Sequence, residues 1–169
     1  MKVGFIGTGT MGQAMAANIL SAGNFLKVHD KNRDAAEPLV ETGAVWCEDI
    51  ASVVAGSEVV LMSLPGPQEV ELVAKEALRE MHSGQVIVDM ITNSPALVRE
   101  LSKLATKKEV EFLDAPVSGG IRGARKGTLA IMVGGERTTF DKLDNLWNCM
   151  GSNVFHVGDV GAGNAAKLV

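Results

Sequence analysis

Short apolar runs alternate along the chain with longer amphipathic stretches. The runs are VGFI (3–6), FLKVH (25–29), VVLMSL (59–64), QVIVDM (85–90), VEFLDA (110–115), TLAIMVGG (128–135) and SNVFHVG (152–158), and each reads as a strand. Between them, helical periodicity predicts helices over 11–22, 33–42, 67–80, 95–107 and 137–150. Strands separated by helices argue for an α/β domain with a mostly parallel sheet. The unbroken apolar character of VVLM and VIVD suits strands covered by helices on both faces. Pro65 and Pro95 follow strand ends, where proline opens a loop or the first turn of a helix. No repeat, low-complexity tract or linker interrupts the pattern. After Gly161-Ala162-Gly163 a further helix begins, and the chain stops about two turns later. The expected organisation is one domain over 1–160, with 161–169 as the start of a truncated helix.

The first apolar run ends in Gly7-Thr8-Gly9-Thr10-Met11-Gly12, a GxGxxG placed between a strand and a helix. Here Gly7 permits a tight turn, Gly9 lets backbone approach a pyrophosphate, and Gly12 lets helix and strand pack closely; the helix start offers free N–H groups to an anion. Asp30 closes the second run, 18 residues beyond Gly12, near the spacing of a carboxylate that accepts from the adenosine ribose hydroxyls. In this context the loop predicts dinucleotide binding by a Rossmann-like, doubly wound sheet with helices on both faces. The alternative for Asp30 is a cap on the next helix, which suits either cofactor.

Composition narrows the class. The chain has 169 residues, 46% hydrophobic and 21% charged, as in a soluble globular domain. Net charge is −4 and no long basic run occurs, so a nucleic-acid partner is not expected. No apolar stretch is long enough to span a bilayer, and Met1 leads straight into a strand, leaving no room for a targeting peptide. Cys47 and Cys149 read as two reduced thiols, and neither they nor His29, His82 and His156 give metal-ligand spacing, so no metal is expected. The histidines, Trp46, Trp147 and the eight methionines read as surface or packing groups. Glu136-Arg137 and Lys107-Lys108-Glu109 read as solvated faces.

Ligands of such sheets lie beyond the carboxyl ends of the strands. Three loops fall there: Ser63-Leu64-Pro65-Gly66-Pro67, Asp89-Met90-Ile91-Thr92-Asn93-Ser94-Pro95 and Asp114-Ala115-Pro116-Val117-Ser118-Gly119-Gly120. Leu64 and Pro65 would form an apolar wall for a nicotinamide ring. Ser118 with the amides of Gly119 and Gly120 would make a nest for a carboxylate. Taken singly, each loop is also ordinary turn chemistry.

Three ordered segments, FIGTGTMGQAMAANI, DAPVSGG and GAGNAAK, resemble the cofactor, substrate and catalytic segments of the β-hydroxyacid dehydrogenases. That family includes 3-hydroxyisobutyrate dehydrogenase, tartronate semialdehyde reductase, the glyoxylate/succinic semialdehyde reductases and, more distantly, 6-phosphogluconate dehydrogenase. The resemblance covers the whole chain, and the continuation GIRGARKGTLAIMVGG is closest to the hydroxyisobutyrate and tartronate branch. It implies reversible hydride transfer between NAD(P) and a small β-hydroxyacid or its semialdehyde. It also implies that 161–169 opens an interdomain helix. In members of the family a helical domain follows, and the resemblance implies that it would complete the cleft and build a homodimer or homotetramer, in the cytoplasm or, in mature form, the mitochondrial matrix. By position, Gly7, Gly9, Thr10, Met11 and Gly12 would hold the pyrophosphate, and Asp30 with Lys31 would face the ribose. Leu64, Pro65, Glu69 and Thr92 would approach the cofactor. Ser118, Gly119 and Gly120 would hold the substrate carboxylate, and Lys167 would be the catalytic group.

A lysine suits the reaction because the alcohol proton must leave as the carbonyl forms and return in the reverse direction. A lone lysine on a terminal helix is otherwise a solvated one. The sequence departs from the family pattern at Thr8, where leucine is common; the position lies in the turn, so the change is expected to be tolerated. Ile91 stands where serine is frequent, leaving Thr92 as the hydroxyl. An asparagine pair that follows the family's lysine falls beyond Val169, so 1–169 alone is expected to bind dinucleotide and turn over little substrate. Asp30 would repel a 2′-phosphate and so favours NAD over NADP, with Lys31 and Arg33 pulling the other way. Competing readings are a 6-phosphogluconate dehydrogenase, which would want more basic residues, an imine reductase, which usually lacks the lysine, and a non-catalytic binding module of the same fold.

Overall fold

The computed structural model describes residues 1–169, all of the chain. The seven expected runs form strands, trimmed at half of their ends and extended by one residue at the starts of the first and last: β1 (Lys2–Ile6), β2 (Phe25–His29), β4 (Val59–Met62), β5 (Val86–Asp89), β6 (Glu111–Asp114), β8 (Leu129–Gly134) and β9 (Gly151–Gly158). Two short strands join them, β3 (Val45–Trp46) and β7 (Val117–Ser118). Helices α1 (Thr10–Ser21), α2 (Arg33–Glu41), α4 (Pro67–Glu80) and α5 (Pro95–Thr106) lie where periodicity places them. Pro67 and Pro95 both occupy first helical turns, and the Ser94 hydroxyl caps α5 by accepting from Leu97 N–H at 3.1 Å.

Three helices differ from expectation. The helix expected over 137–150 is two, α7 (Arg137–Lys142) and α8 (Asp144–Met150), broken at Leu143. The break is held by Trp147, whose indole N–H donates to the Phe140 carbonyl at 3.0 Å while its ring is fully buried. Helix α3 (Ile50–Val54) has five residues, too few to show a period, and is capped by Asp49 accepting from Ser52 N–H at 2.8 Å. Helix α6 (Gly120–Lys126) carries two glycines, which hide it from propensity. A last helix, α9 (Ala162–Leu168), packs back onto β6, β8 and β9.

Strand order is β3-β2-β1-β4-β5-β6-β8-β7, with β9 on β8. The chain winds outward from β1 to β3, returns to β4 beside β1, and winds outward again, all in parallel register through β6. This is the expected Rossmann-like, mostly parallel sheet. The exceptions lie at one edge. Strands β6 and β7 run antiparallel to β8 in one continuous register, Asp114 opposite Gly134, Val117 opposite Ile131 and Ser118 opposite Ala130. The bond from Met132 N–H to the Pro116 carbonyl (3.1 Å) carries that register across the kink at Ala115-Pro116.

Both faces of the sheet are covered. On one side Phe5, Leu61 and Val88 meet Met15, Ile19 and Trp147; on the other Val60, Met62 and Ile87 meet Val53, Val70 and Leu101. Alternate residues of a strand thus enter two cores, which is why these runs have no polar side. No helix is long and apolar enough to cross a membrane.

Candidate dinucleotide and proton-transfer site

The direction of winding reverses between β1 and β4, and their carboxyl ends open onto a groove of about 1050 Å³. The GxGxxG loop forms its floor. Gly7 leaves β1 at φ +95°, and a Cβ there would strike the Ser63 carbonyl, the first residue after β4. A Cβ on Gly12 would strike the Gly7 carbonyl. Gly9 has nothing within 4 Å of its absent side chain, so space remains above it for a ligand's phosphates. Backbone crowds below the loop and is open above it, which is the cradle a pyrophosphate requires.

Asp30 ends β2 and fastens this loop. Its Oδ2 accepts from Thr8 N–H at 2.7 Å and its Oδ1 from Asn32 N–H at 2.8 Å. It does not cap the next helix; Asn32 does, by accepting from Asp34 N–H at 3.1 Å. Both Asp30 oxygens keep a lone pair for a ribose hydroxyl. Drawn onto β2 in this way, Thr8 is 1% exposed and its hydroxyl has no partner, so it is a buried polar residue and not a freely variable turn position.

Of the residues expected at the cofactor, Gly7, Gly9, Thr10, Met11, Gly12, Asp30, Lys31, Leu64, Pro65 and Glu69 all line the groove. Thr92 does not; it is exposed in the loop after β5. The groove also takes in His29, set aside in the sequence as a packing residue. His29 Nδ1 sits 2.8 Å from the Cys47 carbonyl, and its ring tilts against Trp46, itself half-buried beneath the Arg33 guanidinium. Five carboxylates line the groove (Asp30, Glu48, Asp49, Glu69, Glu76) against two cations, Lys31 and Arg79. Hydrogen bonds from Ser52 hold Asp49 below its usual range.

A second cluster lies at the ends of β5, β6 and β7. Ser118 ends β7, and Gly119 (φ +132°) and Gly120 (φ +62°) turn the chain into α6 in a conformation that favours glycine. From α9, Lys167 Nζ donates to Ser118 Oγ. Two residues 49 positions apart, picked from separate motifs, are therefore in contact.

Behind this pair is a feature that residue-by-residue reading missed. Asp89, Asn93, Asp114 and Asn164 are each at most 4% exposed and joined by hydrogen bonds. Burial raises the Asp89 carboxyl from 3.8 to about 7, opposed by donors from Asn93 and Ile91 and assisted by the Asp114 charge. The spacings 89, 93, 114 and 164 carry no motif. The only sequence signal is that each polar residue directly follows or sits within a fully apolar run or small-residue turn. Burial also raises the Cys47 and Cys149 thiols, so both remain protonated near neutrality. No cluster of three or more His, Cys, Asp and Glu forms a metal site.

A doubly wound sheet, a glycine loop at its switch point and a carboxylate at the end of the second strand define a dinucleotide-binding domain. The chain belongs to the family described as the NAD binding domain of 6-phosphogluconate dehydrogenase, whose model matches residues 2–158. It is 40% identical over 172 residues to the 2-(hydroxymethyl)glutarate dehydrogenase of Eubacterium barkeri, covering 100% of this chain and 57% of that protein. It is 40% identical over 169 residues to the 3-hydroxyisobutyrate dehydrogenase of Pseudomonas aeruginosa, covering 98% and 57%. Among solved structures, the Mycobacterium tuberculosis 3-hydroxyisobutyrate dehydrogenase with L-serine matches with a TM-score of 0.96 at 34% identity, over 99% of this chain and 58% of that one. The chain thus spans less than two thirds of the length of these relatives.

Proposed function

We propose that the chain is the cofactor-binding part of an NAD-dependent oxidoreductase that passes hydride between the nicotinamide and a small β-hydroxyacid or its semialdehyde. The observation that carries this reading is the contact of Lys167 with Ser118 on the same sheet edge as the dinucleotide groove. When bound, the cofactor supplies the hydride acceptor. The chain's part is to hold it over Gly9, place a carboxylate against Ser118, Gly119 and Gly120, and present the Lys167 amine to the substrate hydroxyl. In the oxidative direction Lys167 Nζ takes the hydroxyl proton, and in the reductive direction it returns one to the carbonyl oxygen.

The names of the relatives sharpen the substrate class. 2-(Hydroxymethyl)glutarate, 3-hydroxyisobutyrate and L-serine all contain HOCH2–CH(R)–COO−, differing only in R. A serine–glycine turn for the carboxylate and an amine for the hydroxymethyl oxygen match that shared part. The excess length of the relatives supports a further, helical domain entered through 161–169. That domain would select R and build a homodimer or homotetramer, in the cytoplasm or the mitochondrial matrix.

NAD is the preferred cofactor on this reading, because Asp30 and the acidic groove lining oppose a 2′-phosphate. Calorimetric titration of NAD and NADP onto the chain tests it, and tighter NADP binding would overturn it. For the reaction, turnover of HOCH2–CH(R)–COO− compounds by the full-length protein is expected to fall by about 100-fold to 10,000-fold in Lys167→Met, the span of general acid–base catalysis. Unchanged kcat in that variant would remove the lysine from the reaction.

A further inference from the structure

The parts of the site come from segments far apart in sequence: the loop bearing Thr92, the β6–β7 edge and α9. One buried chain of side chains joins all three. Asp114 Oδ1 accepts from Gly161 N–H at 2.9 Å, and Oδ2 accepts from Asn164 N–H at 2.8 Å and from its side-chain Nδ2 at 3.0 Å. Asn164 Oδ1 in turn accepts from Asn93 N–H at 2.6 Å, and Asn93 Nδ2 donates to Asp89 Oδ2 at 2.6 Å. Asp89 Oδ1 closes the loop by accepting from Ile91 N–H at 3.1 Å. None of the four side chains lines the dinucleotide groove, and Lys167 bonds only to Ser118 among them and it.

An apolar contact would dock α9 but leave its rotation loosely set, whereas a buried hydrogen-bonded network, here satisfied at every side-chain oxygen and nitrogen but Asn93 Oδ1, restricts it. Small residues make room for it: a Cβ on Gly134 would strike Asp114 Oδ1, and one on Gly163 would lie 2.7 Å from the Asp114 carbonyl. Lys167 follows Asn164 by three residues, most of one helical turn, so the direction of its side chain is tied to the seat of Asn164.

We propose that Asp114, Asn164 and Asn93 are positioning residues that set Lys167 against Ser118 and hold it in fixed relation to the loop bearing Thr92. The inference rests on the reading of Lys167 as the proton-transfer group. It assigns the carboxylate of DAPVSGG and the asparagine of GAGNAAK a role through the lysine, not on the substrate.

The test is the acetylation rate of Lys167 on the 169-residue chain, read by peptide mass spectrometry as a ratio to the exposed Lys107 and Lys142. Asn164→Ala is expected to change that ratio at least fivefold while unfolding stays cooperative. Asn164→Asp, which sets a carboxylate against Asp114, is expected to do the same. Adding Asp114→Asn to it removes the like charges but sets an amide NH2 against a backbone N–H that Asp114 accepts from, so the double variant is expected to stay at least fivefold from wild type. A folded Asn164→Ala with an unchanged ratio overturns the proposal, as does a folded double variant with the wild-type ratio. If Asn164→Ala does not fold, Asn93→Ala decides: it keeps the backbone N–H to Asn164, loses only the bond to Asp89 and is expected to change the ratio at least twofold, and a wild-type ratio or a failure to fold there overturns the proposal. The catalytic reading fails separately, by full turnover of Lys167→Met, whatever the labelling shows.

Discussion

The glycine loop and the lysine cluster sit at the same end of one sheet but are built of different materials. At the loop, shape is set by backbone and by absent side chains: carbonyls crowd Gly7 and Gly12 from below, and open space lies above Gly9. Beside the lysine, it is set by buried polar side chains drawn from four separated positions. The first construction is nearly local: six residues carry its glycines, and only Asp30 and the Ser63 carbonyl close on them from elsewhere. The second is assembled only when β5, β6 and α9 come together. The difference predicts opposite sensitivities, with the loop failing by steric intrusion and the lysine cluster by loss of hydrogen-bond partners.

The largest effect is expected at Asp114. Asp114→Ala strands the N–H groups of Gly161 and Asn164 and the Asn164 amide, at a cost of about 4 kcal/mol. That corresponds to a fall in Tm of roughly 10 °C for a chain of this size, while NAD affinity is expected to hold. Equal loss of both would break the comparison.

Asp89 gives the lysine cluster a pH signature. Its folded pKa of about 7 lies above the ordinary 3.8, so the folded protein binds the extra proton between these values. Its contribution to stability is full below pH 3.8, falls as pH rises, and is gone once pH passes about 7. Chemical denaturation of wild type and Asp89→Asn at matched pH isolates this contribution. The wild-type advantage is expected to shrink with rising pH by up to about 4 kcal/mol in all and to be flat above pH 8. A difference that grows with pH would show the carboxylate to be stabilised as the anion.

At the loop, Gly12→Ala drives a methyl into the Gly7 carbonyl, at about 3 kcal/mol of stability by overpacking. Affinity for NAD is expected to fall with it, by roughly 100-fold or more at 1.4 kcal/mol per tenfold, leaving Lys167 acetylation unchanged. The smallest effect is at the rim. The Arg33–Glu48 pair is 59% and 76% exposed, so Arg33→Ala is expected to alter stability by less than about 0.5 kcal/mol. A larger change would mean that the Arg33 stack on Trp46 contributes to the groove.

What could be read in advance follows the same division. All seven strands of four residues or more were visible as apolar runs; in β4 and β5 burial on both faces removes polar alternation, whereas β2 and β9 keep exposed or half-exposed positions. Strands β3 and β7, two residues each, carry no period at all. Helix α3 is too short, α6 is masked by glycine, and the break at Leu143 depends on a tryptophan N–H reaching back seven residues. At the site, GxGxxG and Asp30 were legible because their spacing is fixed by one strand–turn–helix unit. Thr92 lies outside the groove lining, in the loop that supplies Asn93 to the lysine cluster's network. Asp89, Asn93, Asp114 and Asn164 passed as turn residues because asparagine and aspartate are common in turns, and only tertiary packing distinguishes a turn residue from a buried anchor.

The unbroken register of β6 and β7 along β8 has one more consequence. Asp114 and Ser118 share one register along β8 across the Ala115-Pro116 kink, four residues or at most about 13 Å apart, and they engage the two ends of α9, at Gly161 and at Lys167. The strand therefore acts as a ruler laid beside the helix, with a mark at each end. The helix rises only about 9 Å from Gly161 to Lys167, and the lysine side chain reaches across the difference, so an insertion in either element would shift its mark. One residue added between Asn164 and Lys167 would advance the lysine by 1.5 Å and turn it by about 100°, off its mark, with every side chain still present.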